Sequence, residues 1–127
     1  MILVDTSAWI AFFRGAEPLA SRVDAAIDLD DAAICGPVMC ELRRGFMTAA
    51  ERKKVLPLLG ACHALPPPAG LWEDAGDLGF SLRRKGVRVK TLDLLIAVCA
   101  LHASVPILTA DSDFEIMQRA GIPLALV

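Results

Sequence analysis

The chain has 127 residues, the length of a single domain that would span residues 1–127. Hydrophobic residues other than glycine make up 55% of it. Soluble domains reach only ~45–50% with glycine included, so we expect apolar surface to be buried against another copy or another chain. The net charge of −2 gives no overall sign of nucleic-acid binding. The longest apolar run, residues 94–101, is too short for the ~20 residues of a membrane span, and the first residues lack the pattern of a signal peptide. We therefore expect a cytoplasmic protein that does not associate with membranes.

The first half of the chain alternates short apolar runs with helical segments. Residues 1–4 predict a buried strand, and a helix at about 8–14 follows it and ends at Gly15. The next helix has Pro18 in its first turn and continues to about residue 29, and residues 32–35 predict the second strand. The pair Gly36-Pro37 begins the helix that follows this strand. Thr48 and Glu51 fit a capping box for one more helix.

The second half repeats the pattern. Residues 61–65 predict a third strand, which three prolines separate from a long helix at about 70–85. An apolar helix begins near Asp93 and continues to about residue 103, and residues 106–109 form the next strand. Ser112 and Glu115 fit a second capping box, and residues 123–127 predict a terminal strand. Strands separated by helices indicate an α/β domain with three α/β/α layers and a parallel sheet of about five strands.

Carboxylates stand at the strand ends and helix starts of this pattern. Asp5 ends the first strand in ILVDTSAW, and Glu41 lies in the helix that contains CELRRG. Asp93 opens TLDLLIAVCALHA, and Asp111 follows the fourth strand in ILTADSDF, with Asp113 two residues later. In a parallel sheet such residues can converge at the carboxyl ends of the strands. Because like charges repel, a shared hard cation such as Mg²⁺ or Mn²⁺ would explain their convergence.

Each acid also has a simpler explanation. Asp5, Asp93 and Asp111 or Asp113 could each cap a helix or favour its positive end. Glu41 could form a helical ion pair with Arg44 three residues later. Together, however, these explanations require several coincidences, whereas one cation accounts for all the acids. The hydroxyls of Thr6, Ser7 and Thr109 flank the acids and could hold carboxylates or a bound water in place.

Other residues give weaker signals. A basic stretch in SLRRKGVRVK, just before Asp93, could either solvate a helix end or form a rim that contacts phosphates. We expect the four cysteines to be free buried thiols and both tryptophans, Trp9 and Trp72, to lie in the core, which leaves few aromatic side chains for base stacking. Neither histidine fits a catalytic role. The residues of the basic stretch that are candidates for contacting phosphates are Arg83, Arg84, Arg88 and Lys90.

The four acidic motifs, in this order and at these spacings, resemble those of the PIN-domain ribonucleases, most closely the VapC-type toxins of bacterial toxin–antitoxin pairs. The likeness covers essentially the whole chain, with Asp5, Glu41, Asp93 and Asp111 at the positions of the family's acids and Asp113 as a further candidate ligand. The resemblance implies a small parallel sheet between helices and an endoribonuclease dependent on Mg²⁺ or Mn²⁺. It also implies inhibition by a cognate VapB-like antitoxin and assembly as a homodimer.

Three other functions remain open from the sequence. A phosphatase of the haloacid-dehalogenase type also has an aspartate after its first strand, but it needs a second one two residues later, where this chain has Ser7. A phosphoacceptor receiver domain would need paired acids after its first strand, and these are absent. A PIN-like binding module without catalytic activity would keep the fold and bind a partner. Metal-dependent RNA cleavage would separate the nuclease from all three.

Overall fold

The computed structural model describes residues 1–127 and contains one parallel sheet with the strand order β3-β2-β1-β4. Helices flank this sheet in an α/β/α arrangement, which confirms the predicted fold class. The strands are β1 (Ile2–Val4), β2 (Ala32–Ile34), β3 (His63–Ala64) and β4 (Ile107–Leu108). The helices are α1 (Thr6–Arg14), α2 (Leu19–Asp28), α3 (Gly36–Arg44), α4 (Ala49–Gly60), α5 (Leu71–Arg84), α6 (Thr91–Ala103) and α7 (Ser112–Arg119).

The expected fifth strand is reduced to a single bridge, so the predicted strand count is too high by one. Leu126 pairs in parallel with Ile107. The Ile107 N–H donates to the Ala125 carbonyl at 2.9 Å, and the Val127 N–H donates to the Ile107 carbonyl at 3.1 Å. Pro123 has no N–H to contribute, which shortens the ladder from its start. The terminal segment nevertheless continues the sheet beyond β4.

The sheet topology places a crevice beside β1. This strand pairs with β2 on one side and with β4 on the other, so the connections leaving β1 and β4 diverge at their carboxyl ends. Such a switch point in an open parallel sheet is where ligands usually bind. Asp5 follows β1 directly, and Thr109 follows β4 directly. The fold alone therefore brings the first and last acidic motifs to one edge.

Helix α6 forms the centre of the core on its side of the sheet. Its residues from Asp93 to Ala100 are all buried, as expected for a helix that is apolar around most of its circumference. Helix α5 packs closely against it, with Gly79 at the contact. A Cβ added at Gly79 would lie 2.8 Å from the Leu94 Cδ1 atom. Any side chain at this position would therefore require the end of the Leu94 side chain to shift.

The predicted capping boxes differ in outcome. Thr48 caps α4 as expected, since its hydroxyl accepts from the Glu51 N–H, although the Glu51 carboxylate accepts from the Met47 N–H rather than from that of Thr48. The second capping box is wrong. Asp111, not Ser112, is the N-cap of α7, and its carboxylate accepts from the Asp113 N–H. The Asp111 carboxylate therefore caps the helix in place of the Ser112 hydroxyl.

Two predictions about burial also need correction. Cys40 is exposed and Cys62 only partly buried, although all four cysteines are free as expected. Trp9 is fully buried, but Trp72 is 72% exposed. Position 72 lies on the outward face of the first turn of α5, whose inward face is formed by Leu71 and Ala75. None of the helices combines the length and the apolar character that crossing a bilayer requires.

Candidate metal centre

Asp5 lies in the N-cap position of α1 but its side chain does not cap the helix. The residue is 3% exposed. Its Oδ2 atom accepts hydrogen bonds from the Ser7 hydroxyl at 2.8 Å and from the Thr109 hydroxyl at 2.9 Å. Two hydroxyls from opposite ends of the chain therefore fix one carboxylate oxygen at the crevice beside β1. The Oδ1 atom receives none of these hydrogen bonds and is available for a ligand.

Glu41 comes to the same place from α3. Its Oε1 atom accepts a hydrogen bond from the Thr6 hydroxyl at 2.9 Å. Glu41 takes part in no salt bridge, so the ion pair with Arg44 that the sequence left open does not form. Helix α3 packs against both α1 and α6. The glutamate is thus held against the acids of the neighbouring elements without a neutralising partner.

Asp93 has the most unusual environment of the acids. It lies in the first turn of α6 and is 8% exposed, and its buried Oδ2 atom has no hydrogen-bond partner. Burial raises the pKa of this carboxyl to about 7, with further contributions from the charge of Asp111, a hydrogen bond with Asp113 and the charge of Asp5. An unpaired carboxylate oxygen in such a place is costly unless a cation or a proton joins it.

Asp111 and Asp113 complete the acidic group from the start of α7. One oxygen of Asp111 accepts from the Asp113 N–H at 2.9 Å, so the capping explanation of Asp111 accounts for that oxygen. It does not account for the other carboxylates nearby. Carboxylate oxygens of Asp93, Asp111 and Asp113 lie within 4.8 Å of one another. Three ligand atoms at this separation suit a hard divalent cation.

One pocket collects the acids predicted from the sequence. Asp5, Glu41, Asp93 and Asp111 line a cavity of about 420 Å³, together with the hydroxyl residues Thr6 and Ser7 and with Lys90 at its edge. We call this cavity the acidic pocket. Asp113 lies outside its lining but within reach of Asp93 and Asp111. The unpaired Asp93 oxygen and the oxygen-only donor set both fit a divalent cation, which would join carboxylates that otherwise repel each other.

The basic candidates extend away from the acidic pocket. Lys90 lines the pocket itself. Arg83 and Arg88 line a neighbouring groove of about 430 Å³ that shares Thr91 with the acidic pocket. We call it the arginine groove, and its other lining residues include Gly76 and Phe80. Arg84 lies over the Phe80 ring, 5.8 Å from its centroid. None of the four basic residues is engaged in a salt bridge.

Two aromatic side chains are exposed at the grooves: Phe80, which the sequence did not single out, and Trp72, which was expected in the core. Phe80 is 62% exposed at the arginine groove, and Trp72 lines a second groove of about 480 Å³. This apolar groove includes Met39, Leu65 and Leu71 and shares Leu92 with the acidic pocket. The helical positions of α5 would have shown both, because its buried face is formed by Leu71, Ala75 and Leu82. His63 and His102 lie elsewhere, paired with Asp30 and Asp74.

A family model for the PIN domain matches residues 2–120, nearly the whole chain. The chain belongs to the PIN-domain family. Among curated proteins, ribonuclease VapC11 of Mycobacterium tuberculosis is 31% identical over 131 residues, which cover 94% of this PIN domain and 92% of that relative. Ribonuclease VapC5 of the same species is 30% identical over 128 residues, covering 94% of this chain and 89% of that relative.

Solved structures agree with the fold of this PIN domain. VapBC2 from Rickettsia felis, bound to a DNA fragment from its promoter, matches with a TM-score of 0.78 at 22% identity, covering all of this chain and 98% of that one. VapBC-5 of M. tuberculosis, a member of the VapBC family of toxin–antitoxin systems, matches with a TM-score of 0.66 at 26% identity. That match covers 98% of this chain and 97% of the other.

Proposed function

We propose that this PIN domain is a metal-dependent endoribonuclease and the toxin of a toxin–antitoxin pair. The observation that carries the proposal is the acidic pocket, where carboxylates from four separate elements meet around the unpaired buried oxygen of Asp93. Such an arrangement lowers the stability of the fold when no cation is bound, and it suits a divalent cation. Relatives named as VapC ribonucleases, matched over 94% of the chain, support the choice of RNA as substrate.

The cation in this proposal is Mg²⁺ or Mn²⁺. Asp5, Glu41, Asp93 and Asp111 would hold it directly or through water, with Asp113 as a supporting ligand close to Asp93 and Asp111. When bound, a divalent ion lowers the pKa of a coordinated water and neutralises charge that develops on a phosphoryl group. The hydroxyls of Thr6, Ser7 and Thr109 keep the Asp5 and Glu41 carboxylates oriented toward the pocket.

The remaining chemistry belongs to the side chains of the pocket and its edge. One ionised carboxylate of the pocket accepts the proton of the attacking water as the new phosphorus–oxygen bond forms and the ester bond to the leaving oxygen breaks. Lys90 at the pocket edge contacts the phosphate that is cut. Arg83, Arg84 and Arg88 contact neighbouring phosphates, because these guanidinium groups are exposed and have no acidic partner.

Two protein partners are part of the proposal. A VapB-like antitoxin would cover the acidic pocket, where a basic side chain among the carboxylates replaces the charge of the cation and stops cleavage. A second copy of this chain would cover the apolar groove, whose exposed Trp72 accounts for part of the apolar excess in the composition. The RNA substrate and the antitoxin both belong to the cytoplasm.

The test is cleavage of an unstructured RNA by the purified protein in Mg²⁺ or Mn²⁺, with and without a chelator. We expect cleavage that the chelator stops and that Asp5→Asn and Asp93→Asn each reduce by ~10²-fold or more, since each removes a ligand charge from the centre. Asp24→Asn, an exposed position on α2, is the matched control and should cleave like the natural chain. If the protein binds RNA but does not cleave it in any metal, the proposed nuclease activity is wrong and the protein is a PIN-like binding module.

The same preparation separates the enzymatic alternative. A haloacid-dehalogenase-type phosphatase would hydrolyse a phosphate monoester and leave RNA intact. The structure gives Ser7, not an acid, at the position two residues after Asp5, and its hydroxyl donates to Asp5. We therefore expect no release of phosphate from a monoester under conditions in which RNA is cut.

A further inference from the structure

We propose that the arginine groove binds an unpaired nucleobase of the RNA next to the phosphate that is cut, and that Gly76 and Phe80 form its binding surface. The inference rests on the proposed ribonuclease function and adds a subsite that holds one base of the RNA beside the cut. A base can enter this groove only if it is unstacked and unpaired.

The groove adjoins the acidic pocket at Thr91, which lines both. A chain of nucleotides whose phosphate lies over the acids would therefore place the next nucleotide at the mouth of the arginine groove. The cavity of about 430 Å³ lies within the ~300–1,000 Å³ that is usual for small-molecule sites. Continuity and size both fit one base with its ribose.

The floor of the groove comes from one face of α5. Gly76, Phe80 and Arg83 stand at helical spacings of four and three residues, which places them in line on the helix surface. A Cβ added at Gly76 would meet no atom within 4 Å, so the space beside this glycine is open. The ring of Phe80 borders that space and is 62% exposed. An open slot beside an exposed aromatic ring is suited to stacking with a flat base.

The charges around the groove favour a ligand that carries an anionic group, such as the phosphate of a nucleotide, over a basic ligand. Arg83 and Arg88 line it, and Arg84 lies over the Phe80 ring at a distance typical of a cation–π contact. The acids of α5, Glu73, Asp74 and Asp77, are absent from the lining. Arginine beside an aromatic ring can bind the phosphate and the base of the same nucleotide. This combination distinguishes the arginine groove from the apolar groove at Trp72.

The experiment measures binding of short unstructured RNA to the full chain carrying Asp93→Asn, so that cleavage does not interfere. Gly76→Leu fills the slot and Phe80→Ala removes the ring. We expect each to weaken binding by ~tenfold, the usual loss for one stacked base. Gly60→Leu, at the exposed end of α4 where an added Cβ also meets no atom, is the matched control and should bind normally. In protein that keeps Asp93, Gly76→Leu and Phe80→Ala should each leave the affinity for Mn²⁺ unchanged.

A second comparison uses RNA in which single nucleotides lack their base. One abasic position near the cut should weaken binding to the Asp93→Asn protein, and the same abasic RNA should bind equally to protein with and without Gly76→Leu. Two results would overturn the base site and leave the groove to a protein partner. One is that Gly60→Leu weakens RNA binding as much as Gly76→Leu and Phe80→Ala do. The other is that neither Gly76→Leu nor Phe80→Ala weakens RNA binding. If the natural chain cuts no RNA in any metal, the proposed function itself fails, which is a separate and recognisable result.

Discussion

Asp93 combines an environment that opposes folding with a position in the proposed metal centre. Its carboxylate is buried at the start of an apolar helix, one oxygen has no hydrogen-bond partner, and Asp111, Asp113 and Asp5 lie close by. Each of these features opposes ionisation, and their combined effect is a pKa of about 7. The protein therefore carries an electrostatic cost in the absence of a cation, and binding of a cation relieves it.

We predict that Asp93→Asn stabilises the metal-free protein at pH 8. The folded-state pKa of about 7 lies above the ordinary value, so between about pH 4 and 7 the folded state holds a proton that the unfolded state loses. Stability of the natural chain therefore falls as the pH rises through this window. At pH 8 the full cost of the buried charge is present, and asparagine avoids it because it carries no charge. Denaturant unfolding in a chelator, from pH 5 to pH 8, measures the difference.

Addition of metal should reduce or reverse the difference in stability between the natural chain and Asp93→Asn. Added Mn²⁺ should stabilise the natural chain and leave Asp93→Asn much less affected, because a bound ligand stabilises only the state that binds it. Asp24→Asn should follow the natural chain at every pH. A variant that is less stable than the natural chain at pH 8 without metal would show that Asp93 is a structural residue and not a strained ligand.

The positions of the acids could be predicted from the sequence, but the details of their partners could not. Strand ends and helix starts locate Asp5, Asp93 and Asp111, because parallel strands bring their carboxyl ends to one edge, and Glu41 was found as an acid among apolar residues inside α3. The capping role of Asp111 and the absence of an ion pair at Glu41 depend on side-chain directions that spacing does not reveal. The error at Trp72 has a different cause: its hydrophobicity suggested burial, whereas the helical spacing of Leu71, Ala75 and Leu82 leaves position 72 on the outward face of α5.

Among the elements, the pair α5 and α6 connects packing with function. Helix α6 carries Asp93 into the acidic pocket, and residues of both helices line the arginine groove. The two helices approach closely at Gly79, where a side chain would meet the end of the Leu94 side chain. Gly79 and Leu94 both line the arginine groove, so this contact lies at its wall.

We predict that Gly79→Ala stabilises the protein less than Gly76→Ala does. Alanine favours the helix at both positions, but a methyl group at position 79 would lie 2.8 Å from the Leu94 Cδ1 atom, so the end of the Leu94 side chain must shift, and this repacking offsets part of the gain. Gly76→Ala, one turn earlier on the same helix, meets no atom and should gain up to ~1 kcal/mol from helix propensity alone. Thermal unfolding of the two variants measures the difference. Equal stability of both would mean that Leu94 relaxes freely.

The end of α5 and the segment that joins it to α6 carry the basic residues proposed to contact RNA. We predict that changing Arg83, Arg84, Arg88 and Lys90 together to glutamine flattens the salt dependence of RNA binding. Release of counterions from single strands gives a slope of about −0.7 per phosphate contact, so the loss of four contacts should reduce the slope by ~3. A salt titration on the Asp93→Asn background measures it. An unchanged slope would assign these residues to solvation of the helix end alone.

The molecule as a whole has three neighbouring surfaces of different character at the carboxyl edge of its sheet. The acidic pocket lies in the middle, and it shares Thr91 with the arginine groove and Leu92 with the apolar groove. Cation, RNA and protein partner would therefore bind next to one another. Occupation of one surface can affect the next, because Thr91, Leu92 and Asp93 are consecutive residues at the start of one helix.

The last prediction concerns assembly through the apolar groove. If a second copy covers this groove, Trp72→Glu should convert a dimer to a monomer, since it places a charge where apolar surface is to be buried. Leu29→Glu changes a side chain of similar exposure, 76%, far from the groove in sequence and absent from its lining, and it should leave the dimer intact. Light scattering at several protein concentrations measures the molecular mass of both. A natural chain that stays monomeric at the highest concentration would contradict the dimer, and a dimer that survives Trp72→Glu would place the interface on another face.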